Sequence, residues 1–233
     1  MSRLVLFHLC ELPPECAINV NGVAFQTEGK LRRIPLSRRS HVIGSQPLTT
    51  GVAEHESALE RDFVTLTSFA DAGAVVTAQP VTIRFRQGGR SRRYTPDFRV
   101  DWSTGSSELV EVKYRVDLRA NWPHLRPAFA AARQWAQERG ARFRIATDCG
   151  IRGPRLEAAK RLLPLRNAPV DTALAELAVA KAREKAMDFI GLVDALPASR
   201  EVALGVVWRL IARGVLSVDL SVPILPGSSV RAA

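Results

Sequence analysis

The chain reads as an α/β protein: a mixed-sheet core in the order helix, three strands, helix, strand (α-β-β-β-α-β), then a smaller unit of helices and a strand. Three observations predict this. Apolar spacing changes from a period near 3.6 to a period of 2 between residues 54 and 113. Glycines punctuate the strand region at Gly88-Gly89, Gly105 and Gly140. Pro and Asn residues between Pro164 and Pro169 mark a linker before a second helical pattern. With 233 residues, 46% of them apolar, the chain has material for a real core and is far from a disordered composition.

Taken in order, the first fifty residues form an arm of uncertain structure, with a strand-like stretch at Ala17–Val20 and a basic run KLRRIPLSRRS from Lys30 to Ser40. A helix is predicted from Glu54 to about Ala70, because Leu59, Phe63, Leu66 and Ala70 recur at helical spacing. VTIRFR (Val81–Arg86) alternates as a strand covered on one face does. RRYTPDFRVDW resumes as a single strand after Gly88-Gly89, and ELVEVKY follows Gly105. Pro127 suits the first turn of the next helix, which Gly140 ends, and ARFRIAT (Ala141–Thr147) is the last strand of the core. Trp122 and Trp135 read as packing residues. Beyond the linker, helices are predicted over about Thr172–Ile190, with Asp171 as N-cap, and about Ser199–Arg213, stopped by Gly214. Leu216, Val218, Leu220, Val222 and Ile224 then alternate as a strand, and two helices before a strand suggest a small winged-helix-like domain. The domain limits are therefore 1–50, 51–166 and 170–233.

Charge narrows the partners. The net charge of +10 points to a polyanion. It is unevenly spread: residues 54–114 are nearly neutral and hold most of the core's acids, residues 115–170 are strongly basic, and residues 171–233 are balanced. Cys10, Cys16 and Cys149 form no C-x-x-C pair, which excludes a disulfide framework and a zinc ribbon and suits a reducing cytosol. No apolar run approaches the length of a membrane span, so no membrane partner is expected.

The stretch from Tyr94 to Arg115 carries the chemistry. With Ser103-Thr104-Gly105 as a three-residue hairpin loop, Trp102 pairs with Ser106, and the same register sets Asp97 opposite Glu111. Lys113 shares the face of Glu111, while Phe98, Val100, Val110 and Val112 face a core. Facing carboxylates repel unless a cation lies between them. A hard divalent ion such as Mg²⁺, with Mn²⁺ as substitute, would offset the repulsion, and Lys113 would orient or deprotonate a water or steady charge on a phosphoryl oxygen. That set suits phosphodiester hydrolysis. Arg84, Arg86, Arg90, Arg92 and Arg93 before Asp97, and Arg115 and Arg119 after Lys113, are candidate DNA-phosphate contacts.

Pro96-Asp97 with Glu111-Val112-Lys113 resembles the PD-(D/E)xK nuclease signature, and the element order resembles that superfamily's restriction-endonuclease-like core. SALERDF (Ser57–Phe63), QPVTI (Gln79–Ile83), YTPDF (Tyr94–Phe98) and VEVK (Val110–Lys113), in this order, resemble TnsA-type transposon endonucleases; RGVLSVDLSVPI (Arg213–Ile224) is similar to the end of that family's C-terminal winged-helix region. The resemblance implies catalytic Glu60, Asp97, Glu111 and Lys113, with Asp97, Glu111 and Glu60 holding Mg²⁺. Periodicity favours Glu56 over Glu60 as the inward acid, and the choice between them stays open. Gln79 would either point its amide into the site or serve as a turn residue. The resemblance further implies cutting of the 5′ strands at transposon ends beside a separate DDE-type transposase, in the bacterial cytoplasm. The near-neutral C-terminal domain would dock an ATP-dependent regulator of transposition rather than read DNA. A stand-alone restriction or repair nuclease shares the chemistry but cuts alone, and an inactive nuclease-like DNA-binding scaffold would bind no divalent ion.

Overall fold

The computed structural model describes Thr27–Glu28 and residues 43–233. The Ala17–Val20 stretch and the basic run from Lys30 to Ser40 lie outside the described residues. Two compact units result, one ending at Arg152 and one spanning Gly153–Ala233. The division falls ahead of the Pro164–Pro169 stretch.

The first unit contains β1 (Thr27–Glu28), β2 (Gly44–Leu48), β3 (Gly51–His55), α1 (Ala58–Ala70), β4 (Val75–Ala78), β5 (Thr82–Gln87), β6 (Arg90–Tyr94), β7 (Phe98–Asp101), β8 (Ser107–Lys113), α2 (Arg115–Gln137), β9 (Arg142–Thr147) and α3 (Asp148–Ile151). Its main sheet has the order β4-β7-β8-β9, antiparallel except for the parallel β8–β9 pair. The element order α1-β4-β7-β8-α2-β9 is the mixed α/β core the pattern predicts, with one exchange of parts. The first core strand is Val75–Ala78, not Val81–Arg86, and β5 and β6 form a separate hairpin joined by β1.

That exchange splits RRYTPDFRVDW into two strands of different sheets. Pro96 has no N–H to give a ladder, and the chain turns from one sheet to the other across Thr95–Asp97. The Ser103–Gly105 turn behaves as its residues dictate. Gly105 takes a positive φ of 85°, its N–H donates to the Trp102 carbonyl at 2.9 Å, and Trp102 N–H donates to the Ser106 carbonyl at 2.9 Å.

Helix bounds differ from the sequence reading at two places. Residues 54–57 are not helical: Glu54 belongs to β3, and α1 starts at Ala58 behind Ser57, whose hydroxyl accepts the Glu60 N–H. α2 begins at Arg115, twelve residues before Pro127, and contains both Pro123 and Pro127. Each proline forgoes one hydrogen bond to the preceding turn. Burial of Leu118, Phe129 and Trp135 from this one helix outweighs that loss, at about 1.5–3 kcal/mol per large apolar side chain. Gly140, with φ of 67°, ends the segment as expected; Ala141 N–H closes on the Ala136 carbonyl at 2.9 Å.

Both faces of the main sheet are covered. On one, the Phe63 ring of α1 stacks on Phe98 of β7 with centroids 5.5 Å apart. On the other, Leu109 of β8 packs with Ala131, Ala132, Trp135 and Ala136 of α2 and with Ile83 and Phe85 of the hairpin. Trp122 leans on Phe129, so both α2 tryptophans are packing residues.

The second unit holds α4 (Pro154–Leu162), a 3₁₀ turn (Leu163–Leu165), α5 (Thr172–Glu184), β10 (Met187–Asp188), α6 (Phe189–Asp194), α7 (Arg200–Ala212), β11 (Leu216–Val218) and β12 (Ser229–Ala232). Asp171 caps α5 as expected, accepting the Leu174 N–H at 3.0 Å. The helix predicted to reach Ile190 stops at Glu184, because Asp188 caps a new helix by accepting the Gly191 N–H. Alternation after Leu216 carries the strand only to Val218. Asp219 then turns the chain by accepting from Ser221, and Val222 is exposed. Strands β10, β12 and β11 form a small antiparallel sheet in that order.

Candidate active site

Two ladders align the chemistry. The β7–β8 register pairs Phe98 with Val110, and one step further sets Asp97 beside Glu111, as the hairpin loop predicts. The backbone confirms the proximity: Val112 N–H donates to Asp97 Oδ2 at 2.7 Å. Glu111 is only 3% exposed, so it is not on an open hairpin face. Its two oxygens take different donors. Lys113 Nζ donates to Oε1 at 2.7 Å, and the Tyr94 hydroxyl donates to Oε2 at 2.6 Å.

The electrostatics follow from that packing. Burial first, and the adjacent Glu111 second, push the Asp97 carboxyl well above the usual aspartate range; Glu60 adds to the push, and Val112 N–H and Lys113 oppose it. Burial alone would lower Lys113, but the carboxylates of Glu111 and Asp97 outweigh it and raise the ammonium, which is therefore charged at neutral pH. Burial, then the Glu111 charge, also raises the Tyr94 phenol, so its proton stays on the hydrogen bond to Glu111.

Glu60 sits differently from a free site acid. Its Oε1 accepts from the Ser57 hydroxyl at 2.8 Å and its Oε2 from Glu56 N–H at 2.7 Å, a variant of the capping box in which the backbone donor is the residue before the N-cap Ser57. It is still near enough to raise Asp97, and its own carboxyl is raised by burial. Among the described residues no three His, Cys, Asp or Glu side chains form a ready-made metal-holding group, while the charges of both Glu60 and Glu111 act on Asp97. Glu56 accepts from the Gln79 side-chain amide at 2.9 Å, and Gln79 N–H donates to the Asp97 carbonyl at 2.8 Å.

The basic residues separate into two places. Arg84 and Arg86 stand across from Arg93 and Ser91 in the β5–β6 ladder, and Arg92 and Arg90 across from Phe85 and Gln87. Arg86, Arg90, Arg92 and Arg93 are exposed and Arg84 is half-buried. Arg115 is the first residue of α2, its N–H held by Asp148 at 2.7 Å, and Arg119 is exposed one turn on.

Sequence reasoning missed Tyr94 and His55. Tyr94 joins the hairpin to Glu111, a contact between two sheets that no local pattern encodes. His55 is buried at the end of β3, close enough for its charge to act on Glu60. Sequence reasoning also passed over the Ser57-x-x-Glu60 spacing, which is the local signal for a helix N-terminal cap.

Residues 75–148 match the family model described as TnsA-like endonuclease N terminal. The matched span includes Gln79, Asp97, Glu111 and Lys113 and begins after Glu60. No curated protein matches the chain.

Proposed function

Because residues 75–148 match the TnsA-like endonuclease N-terminal model, we propose that this protein is a metal-dependent DNA endonuclease that cuts the 5′ strands at transposon ends, beside a separate DDE-type transposase. The observation that carries the reading is the juxtaposition of Asp97, Glu111 and Lys113 inside the matched span. The residues fit a hard divalent cation: two neighbouring carboxylates, one with a pKa raised by burial and by its neighbour, whose repulsion a cation would relieve. Mg²⁺ is bound in this way by one or two carboxylates plus substrate phosphate, without an all-protein cage. When bound, the ion supplies positive charge that polarises the phosphodiester and acidifies water.

The chain's own groups do the rest. Asp97 gives one oxygen to Val112 N–H, which fixes its plane and presents the other. Tyr94 holds Oε2 of Glu111 and leaves Oε1 shared with Lys113. Lys113, charged and tethered, is suited to neutralise the phosphoryl oxygens as charge builds there, and not to accept a proton. Net hydrolysis adds water across one P–O ester bond and leaves one phosphate and one hydroxyl end. The exposed arginines of the β5–β6 hairpin, with Arg115 and Arg119, supply phosphate contacts. The second unit, with α5, α6, α7 and a three-stranded antiparallel sheet, is assigned in this reading to docking the ATP-dependent regulator, as a winged-helix-like domain would.

The test is strand-specific cleavage of end-labelled transposon-end DNA with Mg²⁺ and the cognate transposase. Asp97→Ala and Lys113→Ala should abolish 5′-strand cutting in folded protein. Wild-type 5′ cutting by Asp97→Ala would end the proposal, and efficient cutting of ordinary DNA by the protein alone would favour a stand-alone nuclease.

A further inference from the structure

Gln79 departs from ordinary structure in two ways at once. It is the one non-glycine residue among those described with a positive φ, 45°, a region costly for a side chain of its shape. Its side-chain oxygen Oε1 is buried with no hydrogen-bond partner, although buried acceptors are nearly always satisfied. Neither feature is needed to end β4, since a glycine or asparagine would adopt the same backbone more cheaply.

Position gives the two features a meaning. β4 pairs with β7 as Ala78 with Phe98, so one step further Gln79 stands opposite Asp97. Asp97 in turn stands opposite Glu111. Gln79, just past β4, Asp97, just before β7, and Glu111, inside β8, therefore follow one another when the two registers are extended by one residue. The backbone joins the first two through Gln79 N–H and the Asp97 carbonyl. The amide is also oriented: Nε2 is committed to Glu56 Oε1, so Oε1 is the end left for a donor or a cation.

We propose that Gln79 belongs to the cation site of the nuclease reading, on which this inference rests. Its Oε1 is the neutral third oxygen beside Asp97 and Glu111, receiving a hydrated divalent cation, and Glu56 is the positioning residue that aims it. A neutral oxygen completes a hard-cation shell without adding a third repelling charge to the Asp97–Glu111 pair. Glu56 and Glu60 then have separate tasks, the first orienting Gln79 and the second capping α1.

The experiment is calorimetric Mn²⁺ titration of the full-length chain without DNA, paired with thermal unfolding in chelator. Gln79→Gly should keep or raise the ion-free melting temperature, because glycine accepts the positive φ, while Mn²⁺ affinity falls about tenfold or more, as for other groups that support metal ligands. Gln79→Asn tolerates the same backbone but draws the amide back by one methylene, and should weaken Mn²⁺ in the same direction. Unchanged Mn²⁺ affinity in both folded variants, with binding lost in Asp97→Asn, overturns this inference alone. Absence of Mn²⁺ binding by the wild-type chain overturns the nuclease reading and this inference together.

Discussion

Removing one charge from the pair formed by half-buried Asp97 and buried Glu111 should stabilise the ion-free protein, and Asp97→Asn is the substitution that isolates the effect. Asparagine keeps the shape and its side-chain oxygen still accepts the Val112 N–H. Two carboxylates facing each other at roughly 5 Å repel by about 3 kcal/mol at an effective dielectric constant near 20. The Lys113 ammonium, 2.7 Å from Glu111 Oε1, offsets part of this, so a net gain of about 1–3 kcal/mol is expected. In chains of this size each kcal/mol moves the melting temperature by about 2–4 °C.

The pH dependence has a definite sign. Folding raises the Asp97 pKa, so the folded state binds that proton more tightly than the unfolded chain. The wild type therefore loses stability as pH rises from about 4, the ordinary aspartate value, through the raised one. Asp97→Asn lacks the group, so its advantage over wild type should be small at the acid end, grow with pH, and level off above the folded pKa. Thermal unfolding by circular dichroism in chelator, across that range, reads it directly. A variant no more stable than wild type at alkaline pH, with a pH-independent difference, would refute the claim that the two acids are held against their repulsion.

Two further outcomes follow from particular contacts. Ser57→Ala removes the acceptor for Glu60 N–H and the donor to Glu60 Oε1, and should cost about 1 kcal/mol, seen as a lower urea midpoint with unchanged slope. Replacing Arg90, Arg92 and Arg93 together by Ala should weaken duplex binding alike on all sequences and lower the salt slope of log K by about 2–3, measured by fluorescence anisotropy at several salt concentrations. An unchanged slope would remove the β5–β6 hairpin from the DNA interface.

The site was legible where local chemistry fixes geometry. Ser103-Thr104-Gly105 specifies a loop, the loop specifies a register, and the register sets Asp97 against Glu111. It was not legible where the answer depends on which sheet a strand joins. Residues 94–101 alternate without a break, yet only Phe98–Asp101 belongs to the main sheet, and nothing short of the folded chain says that Tyr94 reaches Glu111. The early start of α2 was hidden because Pro123 and Pro127 argue locally against helix, and tertiary burial of Leu118 and Phe129 overrides them. β2 and β3 form a hairpin over Gly44–His55 from residues with little strand character. Glu60 was read only as a site acid by resemblance, while the Ser57-x-x-Glu60 spacing, which went unread, signals the capping role that its hydrogen bonds to Ser57 and Glu56 serve.

The most direct test is anomalous diffraction at the manganese edge from crystals of the full-length protein equilibrated with Mn²⁺. A site formed by Asp97 and Glu111 predicts a peak between their carboxylates, on the Gln79 side. A map with no peak there, or with manganese only at unrelated surface acids, would contradict the assignment of a divalent-cation nuclease centre to these residues.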